Sequence, residues 1–399
     1  MDFRLPDEFV ALKKMVRKFT ENELFPLEQD VINRESARGT TDAPSLAPEV
    51  EKHLMKRTEE LGLWGIEVPE EFGGQELGAL AKVIVVEEMN RSIVQFTLPP
   101  DAPNLNYLKE CCTKEQYEKY LLPYSTGEKR SALAMTEPNA GSDAAAIETR
   151  SDFIDGKWVI NGTKAFISFA PKVDFFILIT VSDRVKRKKG GFTAFLLDKD
   201  TPGLQIVRNV NTIGDMLTYE LVLEDVKLDP SQVLGEVGNA FIPLQNRFGV
   251  RRMELAARCC GYADRLIQLM IEQANIRTTF GKPLAERQAV QWWISNSTME
   301  LHAARLMVYH AAWKVDQGHK DMRKEAAMLK VYCTEMLSKI ADRAIQVHGG
   351  LGVSKEMPIE YIYRLVRDFR IIEGPSEIHR WLLAREILKD GKPYDAFRQ

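Results

Sequence analysis

A single carboxylate, Glu373, closes the apolar pair Ile371-Ile372 in the stretch DFRIIEGPSEIHRWLLAREILK (368–389), directly before Gly374 and Pro375. Proline suits the first turn of a helix, where its missing N–H removes nothing, and glycine lets the backbone turn or approach a ligand closely. Ile378, Trp381, Leu382, Ile387 and Leu388 then recur at three- and four-residue spacing, which predicts an amphipathic helix after Pro375. Glu373 thus projects from a rigid junction. An apolar setting of that kind suits a carboxylate to general-base work. The plain alternative is a solvated glutamate in a turn.

Three further stretches carry donors or aromatics at usable spacing. AMTEPNAGSDAAA (134–146) gathers Thr, Ser, Gly and backbone amides, with no large apolar side chain after Met135. Such a loop can offer N–H and hydroxyl donors to a planar heterocycle or a phosphate-bearing ligand, or can be surface alone. It lacks both GxGxxG and GK[ST], so neither a dinucleotide fold nor a P-loop is supported. In NGTKAFISFA (161–170), Phe166 and Ser168 lie two apart and face one way on a strand. That pairing suits stacking plus a hydrogen bond, or ordinary strand packing. RTTFGKPLAERQAV (277–290) sets Arg277, Thr279 and Gln288 around a Gly-Lys-Pro turn. An arginine and a hydroxyl there could hold a pyrophosphate or cap the adjoining helices. QVHGGLGV (346–353) ends a helix in a glycine-rich turn, an ordinary stop and a place for close backbone approach.

The elements that position these residues have three textures. Residues 1–130 read as helical: Phe9, Leu12, Val16 and Phe19 share one helix face, and LGALAKVIVVEEMNRS and TKEQYEKYLLPYSTGE read as further helices. From 131 to 239 the runs become short and β-branched (KWVING, DFFILITV, GFTAFLLD, YELVLEDVKL), punctuated by DG, NG, GG and PG. They predict a small barrel or sandwich of antiparallel strands, with the basic RVKRKKGG (184–191) as a hairpin tip or an anion contact. Long helical patterns fill 240–399, two of them able to pack antiparallel in a bundle. The fold class is mainly α with a central β domain.

Bulk numbers narrow the classes of function. The chain has 399 residues, 45% hydrophobic and 28% charged, with net charge −3. No basic excess points to nucleic acid or an anionic membrane. The longest apolar runs, such as FFILITV (175–181), have strand length, so no membrane insertion is expected. MDFRLPDEF shows no secretory signal. Five cysteines without metal spacing, and no HExxH or CxxC, read as reduced thiols and no metal.

In this order the pieces resemble the acyl-CoA dehydrogenase family of flavoproteins. The similarity runs from the first helix through GLWGIEVPEEFGG to EGPSEIHRWLLAREIL, and AMTEPNAGSD with RTTFGKPLAERQ carries its specificity. It implies an N-terminal helical domain, a middle β barrel or sandwich and a C-terminal four-helix bundle. It also implies FAD, and homotetramers or dimers in which a neighbour completes the flavin site. Glu373 matches the base that removes the α-proton of an acyl-CoA while the β-hydride passes to flavin N5, giving a trans-2-enoyl-CoA. Met135 and Thr136 match flavin-ring contacts, Phe166 a place usually held by tryptophan, and Ser168 an FAD-binding hydroxyl. Arg277, Thr279, Phe280, Gln288, Gln346, Gly349 and Gly350 match FAD contacts given by the neighbour, and Pro375 and Glu377 lie on the FAD side. Ser142, Arg251, Arg252, Gly374 and Arg385 match the substrate side.

Several positions depart from the family's pattern. Pro375 stands where threonine is usual, Glu377 where glutamine is common, Leu365 follows Arg364, and Gly249 replaces a frequent aspartate. Some members place their base where Arg251 stands, so no carboxylate competes with Glu373 here. The Arg251-Arg252 pair would favour an extra negative charge on the substrate. The resemblance implies an electron-transfer flavoprotein as acceptor. Its rivals are an oxidase, an enoyl-CoA reductase or a monooxygenase on the same fold, and a non-enzymatic paralogue that has lost its flavin. Without a visible presequence, a bacterial cytoplasmic protein or a processed mitochondrial one is expected.

Overall fold

FFILITV is apolar without alternation because both of its faces are covered. In the computed structural model, which describes residues 4–38, 46–100, 103–214 and 217–396, every residue of this strand is buried. Met1 to Phe3, part of the N-terminal stretch read for a signal, lie outside the described residues. Strands run over Ser131–Ala134 (β1), Arg150–Ile154 (β2), Lys157–Ser168 (β3), Phe175–Val181 (β4), Phe192–Asp198 (β5), Leu204–Val210 (β6), Thr218–Leu228 (β7), Val233–Leu234 (β8), Thr278–Thr279 (β9) and Lys282–Pro283 (β10). Helices run over Asp7–Phe19 (α1), Glu28–Arg38 (α2), Pro48–Glu60 (α3), Gly78–Met89 (α4), Leu105–Cys111 (α5), Lys114–Gln116 (α6), Leu122–Ser125 (α7), Phe241–Ile276 (α8), Gln288–Asp316 (α9), Arg323–His348 (α10), Pro358–Asp368 (α11) and Ser376–Asp390 (α12). Among the described residues no helix is long and apolar enough to cross a membrane. The five cysteines are free.

The chain divides into two compact units, residues 38–76 with 96–250, and residues 1–37 with 77–95 and 251–399. The first holds the sheet, ordered β6-β7-β3-β2-β4-β5-β8, with β1 beside β4. Alternate residues of β4 feed two cores. Phe175, Ile177 and Ile179 meet Tyr120 and Tyr124, whereas Phe176 and Leu178 meet Trp158 and Phe195. The expectation of antiparallel strands needs one correction: β1 runs parallel to β4 along its whole length, and β2 meets β4 in parallel at Arg150 and Val181. The long connections before β4 allow such pairing, which a tight hairpin forbids. RVKRKKGG does join two antiparallel partners, β4 and β5. Asp183 turns it by accepting from the amides of Val185 (2.9 Å) and Lys186 (3.0 Å).

The second unit is helical. Val16 and Phe19 of α1 are buried, with Phe9 and Leu12 half-buried behind them. α4 packs against both α1 and α9, and α10 against α9, α11 and α12. Being covered on two sides, α4 buries even Glu87 and Glu88, and each is matched. Arg305 Nε (2.7 Å) and the Tyr309 hydroxyl (2.9 Å) donate to Glu87, and Arg17 Nε (2.8 Å) to Glu88. The amphipathic reading of α12 holds only in part within one chain. Ser376, His379 and Glu386 are its buried residues, while Trp381 is 58% and Leu388 80% exposed. Ile378, Leu382 and Ile387 of its apolar stripe are half-buried, and among the described residues Trp381 and Leu388 stay exposed.

Candidate active site

Three residues fix the junction that carries Glu373. The turn between α11 and α12 puts Glu373 itself at φ 55° and Gly374 at φ 90°. The left-handed region costs a residue with a Cβ about 1–2 kcal/mol, so the surroundings must hold it there. Arg252 Nε (3.2 Å), on α8, and His379 Nε2 (3.0 Å), on the first turns of α12, both bond the Glu373 carbonyl oxygen. A carbonyl only accepts, so His379 carries its proton on Nε2. Burial, then the charge of Arg252, pulls the imidazole down to about 4, so the ring is neutral at pH 7. Gly374 has to be glycine on both counts: its φ is closed to other residues, and a Cβ would lie 3.0 Å from His379 Nε2.

The setting of the Glu373 carboxylate differs from the apolar one expected. Ile371 is exposed and Ile372 only half-buried. Arg251 Nε stands 3.8 Å from Glu373 Oε1. The same guanidinium gives Nη1 to Glu254 Oε2 at 3.1 Å, and Lys82 Nζ holds the other oxygen of Glu254 at 3.6 Å. Arg251 is therefore braced along one edge and directed at Glu373 with another. Lys330 of α10 is wholly buried, and no hydrogen-bond acceptor within the described residues reaches its Nζ. Burial brings that ammonium down to about 8. Burial likewise pushes Asp368, at the end of α11, up to about 6.

The other residues around Glu373 separate into near and far. Pro375 is the cap of α12, one position before the first turn, and Glu377 is exposed in that turn. Arg385 lies nine residues beyond Ser376, roughly 13 Å along the helix at 1.5 Å per residue. It stacks on the Trp381 ring, 4.6 Å from the centroid, and pairs with Glu386 at 3.1 Å. The structure brings together Glu373, Gly374, Arg251 and Arg252, and places Arg385 apart from them. His379 and Lys330 escaped the sequence reading. The signal for His379 was its spacing: six residues after Glu373 and four after Pro375, it returns along the first turn of α12 to the junction.

In the sheet-bearing unit, the loop after β1 is set by a buried ion pair. Lys164 of β3, wholly buried, gives Nζ to Glu137 Oε1 (2.7 Å) and to the Met135 carbonyl (3.1 Å). Glu137 also accepts from the amides of Glu148 (2.6 Å) and Thr149 (3.0 Å). Complete burial pulls Lys164 down to about 8, against the opposing pull of Glu137. The Thr136 carbonyl accepts from the Ala165 amide at 2.8 Å, which lays Met135 and Thr136 beside Phe166. Phe166 sits where the β3–β7 register shifts, at φ 57°, and is 54% exposed. Ser168 is half-buried beyond that shift, which interrupts the two-residue alternation expected to align it with Phe166, and Ser142 is exposed.

The helical unit carries a second group of donors. β9 and β10 form a hairpin whose two turn residues, Phe280 (φ 49°) and Gly281 (φ 74°), both take positive φ, the requirement of a type I′ turn. Arg287 donates to the Thr279 carbonyl and braces it. Phe280 is 98% exposed, with Arg277 exposed before it and Gln288 exposed at the start of α9. Gln346, Gly349 and Gly350 are exposed where α10 ends. Each unit thus holds one phenylalanine out of its core in a strained conformation: Phe166 beside hydroxyl donors suits an aromatic ring system, and Phe280 among guanidinium and amide donors suits a pyrophosphate.

Comparison with known proteins agrees with this chemistry. Family models described as the N-terminal, middle and C-terminal domains of acyl-CoA dehydrogenase match residues 6–128, 132–226 and 241–388. The chain is similar to (R)-benzylsuccinyl-CoA dehydrogenase of Thauera aromatica, 55% identical over all of this chain and 99% of that one. It is also similar to acryloyl-CoA reductase (NADH) of Anaerotignum propionicum, 35% identical over 98% of this chain and 96% of that one. Among solved structures it resembles the glutaryl-coenzyme A dehydrogenase glutaryl-CoA complex, with TM-score 0.88 and 28% identity, covering 98% of this chain and 97% of that one.

Proposed function

The chain belongs to the acyl-CoA dehydrogenase family of FAD-dependent oxidoreductases, and from that premise we propose that it desaturates an acyl-CoA whose acyl group carries a second carboxylate. The observation that carries this reading is Arg251, braced by Glu254 with its Nε 3.8 Å from the Glu373 carboxylate. A guanidinium so close to the reacting carbons suits a carboxylate of the substrate, which it can bind in a two-point fork. Two of the similar proteins are named for succinyl and glutaryl thioesters.

In this reading Glu373 takes the α-proton of the thioester. Its carbonyl is held by Arg252 and His379, so the side chain leaves a fixed backbone. FAD, when bound, supplies the acceptor for the β-hydride. Met135, Thr136, Phe166 and Ser168 would hold it in the sheet-bearing unit, Arg277, Thr279, Phe280, Gln288, Gln346, Gly349 and Gly350 would reach it from a neighbouring copy of the chain, and Pro375 and Glu377 are further proposed FAD-side residues. Ser142, Gly374 and Arg252 stand on the substrate side. Arg385, stacked on Trp381 and paired with Glu386, keeps further N–H donors exposed that suit the anionic CoA. Loss of the α-proton and β-hydride leaves a trans-2 double bond, and an electron-transfer flavoprotein is the proposed acceptor.

We also propose self-association through α9. Trp292, Met299, Leu306 and Trp313 recur every seven residues along it, and all are exposed in one chain. Such a seam suits another copy of the same helix.

The test of the reaction is an anaerobic visible spectrum of purified holoprotein titrated with saturated acyl-CoAs, with and without a second carboxylate. Flavin bleaching by the dicarboxylic class, lost in Glu373→Gln, is expected. A flavin that no saturated acyl-CoA bleaches, but that a reduced donor and an enoyl-CoA turn over, would assign the chain to the reductases.

A further inference from the structure

We propose that His379 is a positioning residue for the base, holding the peptide plane of Glu373 through a neutral Nε2–H. This inference rests on the dehydrogenase reading and adds a residue to it. Glu373 is at φ 55°, where a side chain is strained, and Gly374 is at φ 90°, so neither residue's own preference secures the turn. Two donors converge on the one carbonyl between them, Arg252 Nε at 3.2 Å and His379 Nε2 at 3.0 Å. They come from different helices, α8 and α12. The peptide plane is therefore pinned at both sides of its oxygen, and the Cα–Cβ direction of Glu373 is pinned with it.

Arg252 reaches the oxygen from a long side chain with several rotamers. His379 has two torsions, is buried, and approaches from the helix that begins at the turn itself. Its amide also bonds the Pro375 carbonyl at 3.2 Å, so ring and backbone together close the turn. The packing is tight as well as bonded. The absence of a Cβ on Gly374 is what admits the ring, since that atom would sit 3.0 Å from Nε2. A cationic imidazolium would face Arg252 and Lys330, so the neutral form belongs here.

The experiment uses holoprotein and three variants: His379→Phe, which keeps the ring and loses the donor; His379→Gln, whose amide reaches as far as Nε2; and His379→Asn, whose amide stops short. The readouts are exchange of the acyl-CoA α-hydrogen with D2O, which reports the base without net oxidation, together with kcat, KM and flavin content. We expect His379→Phe and His379→Asn to lose about 10- to 100-fold in exchange and kcat, the scale of a misplacement of about 1 Å. KM and flavin content should stay near those of the unaltered protein, and His379→Gln should recover most of the rate. Exchange at the unaltered rate in His379→Phe or His379→Asn overturns the role. So does a His379→Gln variant as slow as His379→Asn with its flavin retained. Unaltered protein that exchanges no acyl-CoA fails the dehydrogenase reading itself, and the positioning role with it. An active protein with an equally active His379→Asn fails the positioning role alone.

Discussion

Replacing Lys164 by methionine tests how the loop after β1 is held. The ammonium is wholly buried and meets Glu137 Oε1 at 2.7 Å and the Met135 carbonyl at 3.1 Å. Methionine fills much of the same space, so the loss is electrostatic. Glu137 keeps two amide donors, from Glu148 and Thr149, but becomes a buried carboxylate without its cation. Removing one member of a buried pair costs about 3–5 kcal/mol. At about 2–4 °C per kcal/mol for a domain of 150–250 residues, thermal unfolding should fall by about 10 °C. Because the same ammonium holds the Met135 carbonyl, bound flavin should dissociate more readily. The double variant Lys164→Met/Glu137→Gln removes the isolated charge but leaves one oxygen to accept from the two amides of Glu148 and Thr149, so it should regain only part of the loss. Differential scanning fluorimetry with flavin absorbance gives both quantities. A single variant melting within about 2 °C of the unaltered protein, below the shift for 1 kcal/mol, would refute the argument. A double variant no better than the single one would move the cause from charge to packing.

Other consequences are as direct. Arg251→Ala should lower kcat/KM for a dicarboxylic acyl-CoA by about 30- to 1,000-fold, the worth of about 2–4 kcal/mol for a buried charged hydrogen bond. It should leave a neutral acyl-CoA far less affected, and equal losses on both substrates would count against substrate-carboxylate binding. His379 has a folded value near 4, below the unfolded value near 6.5, so the unfolded chain takes up the proton first as pH falls. Its contribution is intact above pH 6.5 and is lost toward pH 4, by up to about 3 kcal/mol. Denaturant titrations at pH 7 and 4.5 should show that extra loss relative to His379→Gln, and parallel curves would contradict it. Leu306→Glu places a charge in the middle of the α9 seam and should lower the mass seen by light scattering. An unchanged mass would send the interface elsewhere.

What the sequence could and could not carry follows from the range of each interaction. Periodicity is local, so the order of helices, strands and helices was legible. So was β4, apolar but for Thr180, whose composition records burial on both faces. Parallel pairing of β1 with β4 was not legible, because it is decided between strands some forty residues apart rather than by a turn. The proposed base, Glu373, was legible as a lone carboxylate at a Gly-Pro junction; its environment was not. Ile371 and Ile372 suggested a dry pocket, yet what faces Glu373 comes from α8, more than a hundred residues earlier, and it is a guanidinium. The α12 stripe misled for a related reason. Three- and four-residue spacing says that Trp381 and Leu388 want cover, not which chain provides it, and α10 instead takes the side bearing Ser376, His379 and Glu386. That choice brings His379 under the Glu373 carbonyl. A helix read as amphipathic in the ordinary sense would have turned His379 to solvent and taken that donor from the Glu373 carbonyl. The burial of a polar face against α10 and the fixing of the Glu373 carbonyl are therefore one structural decision.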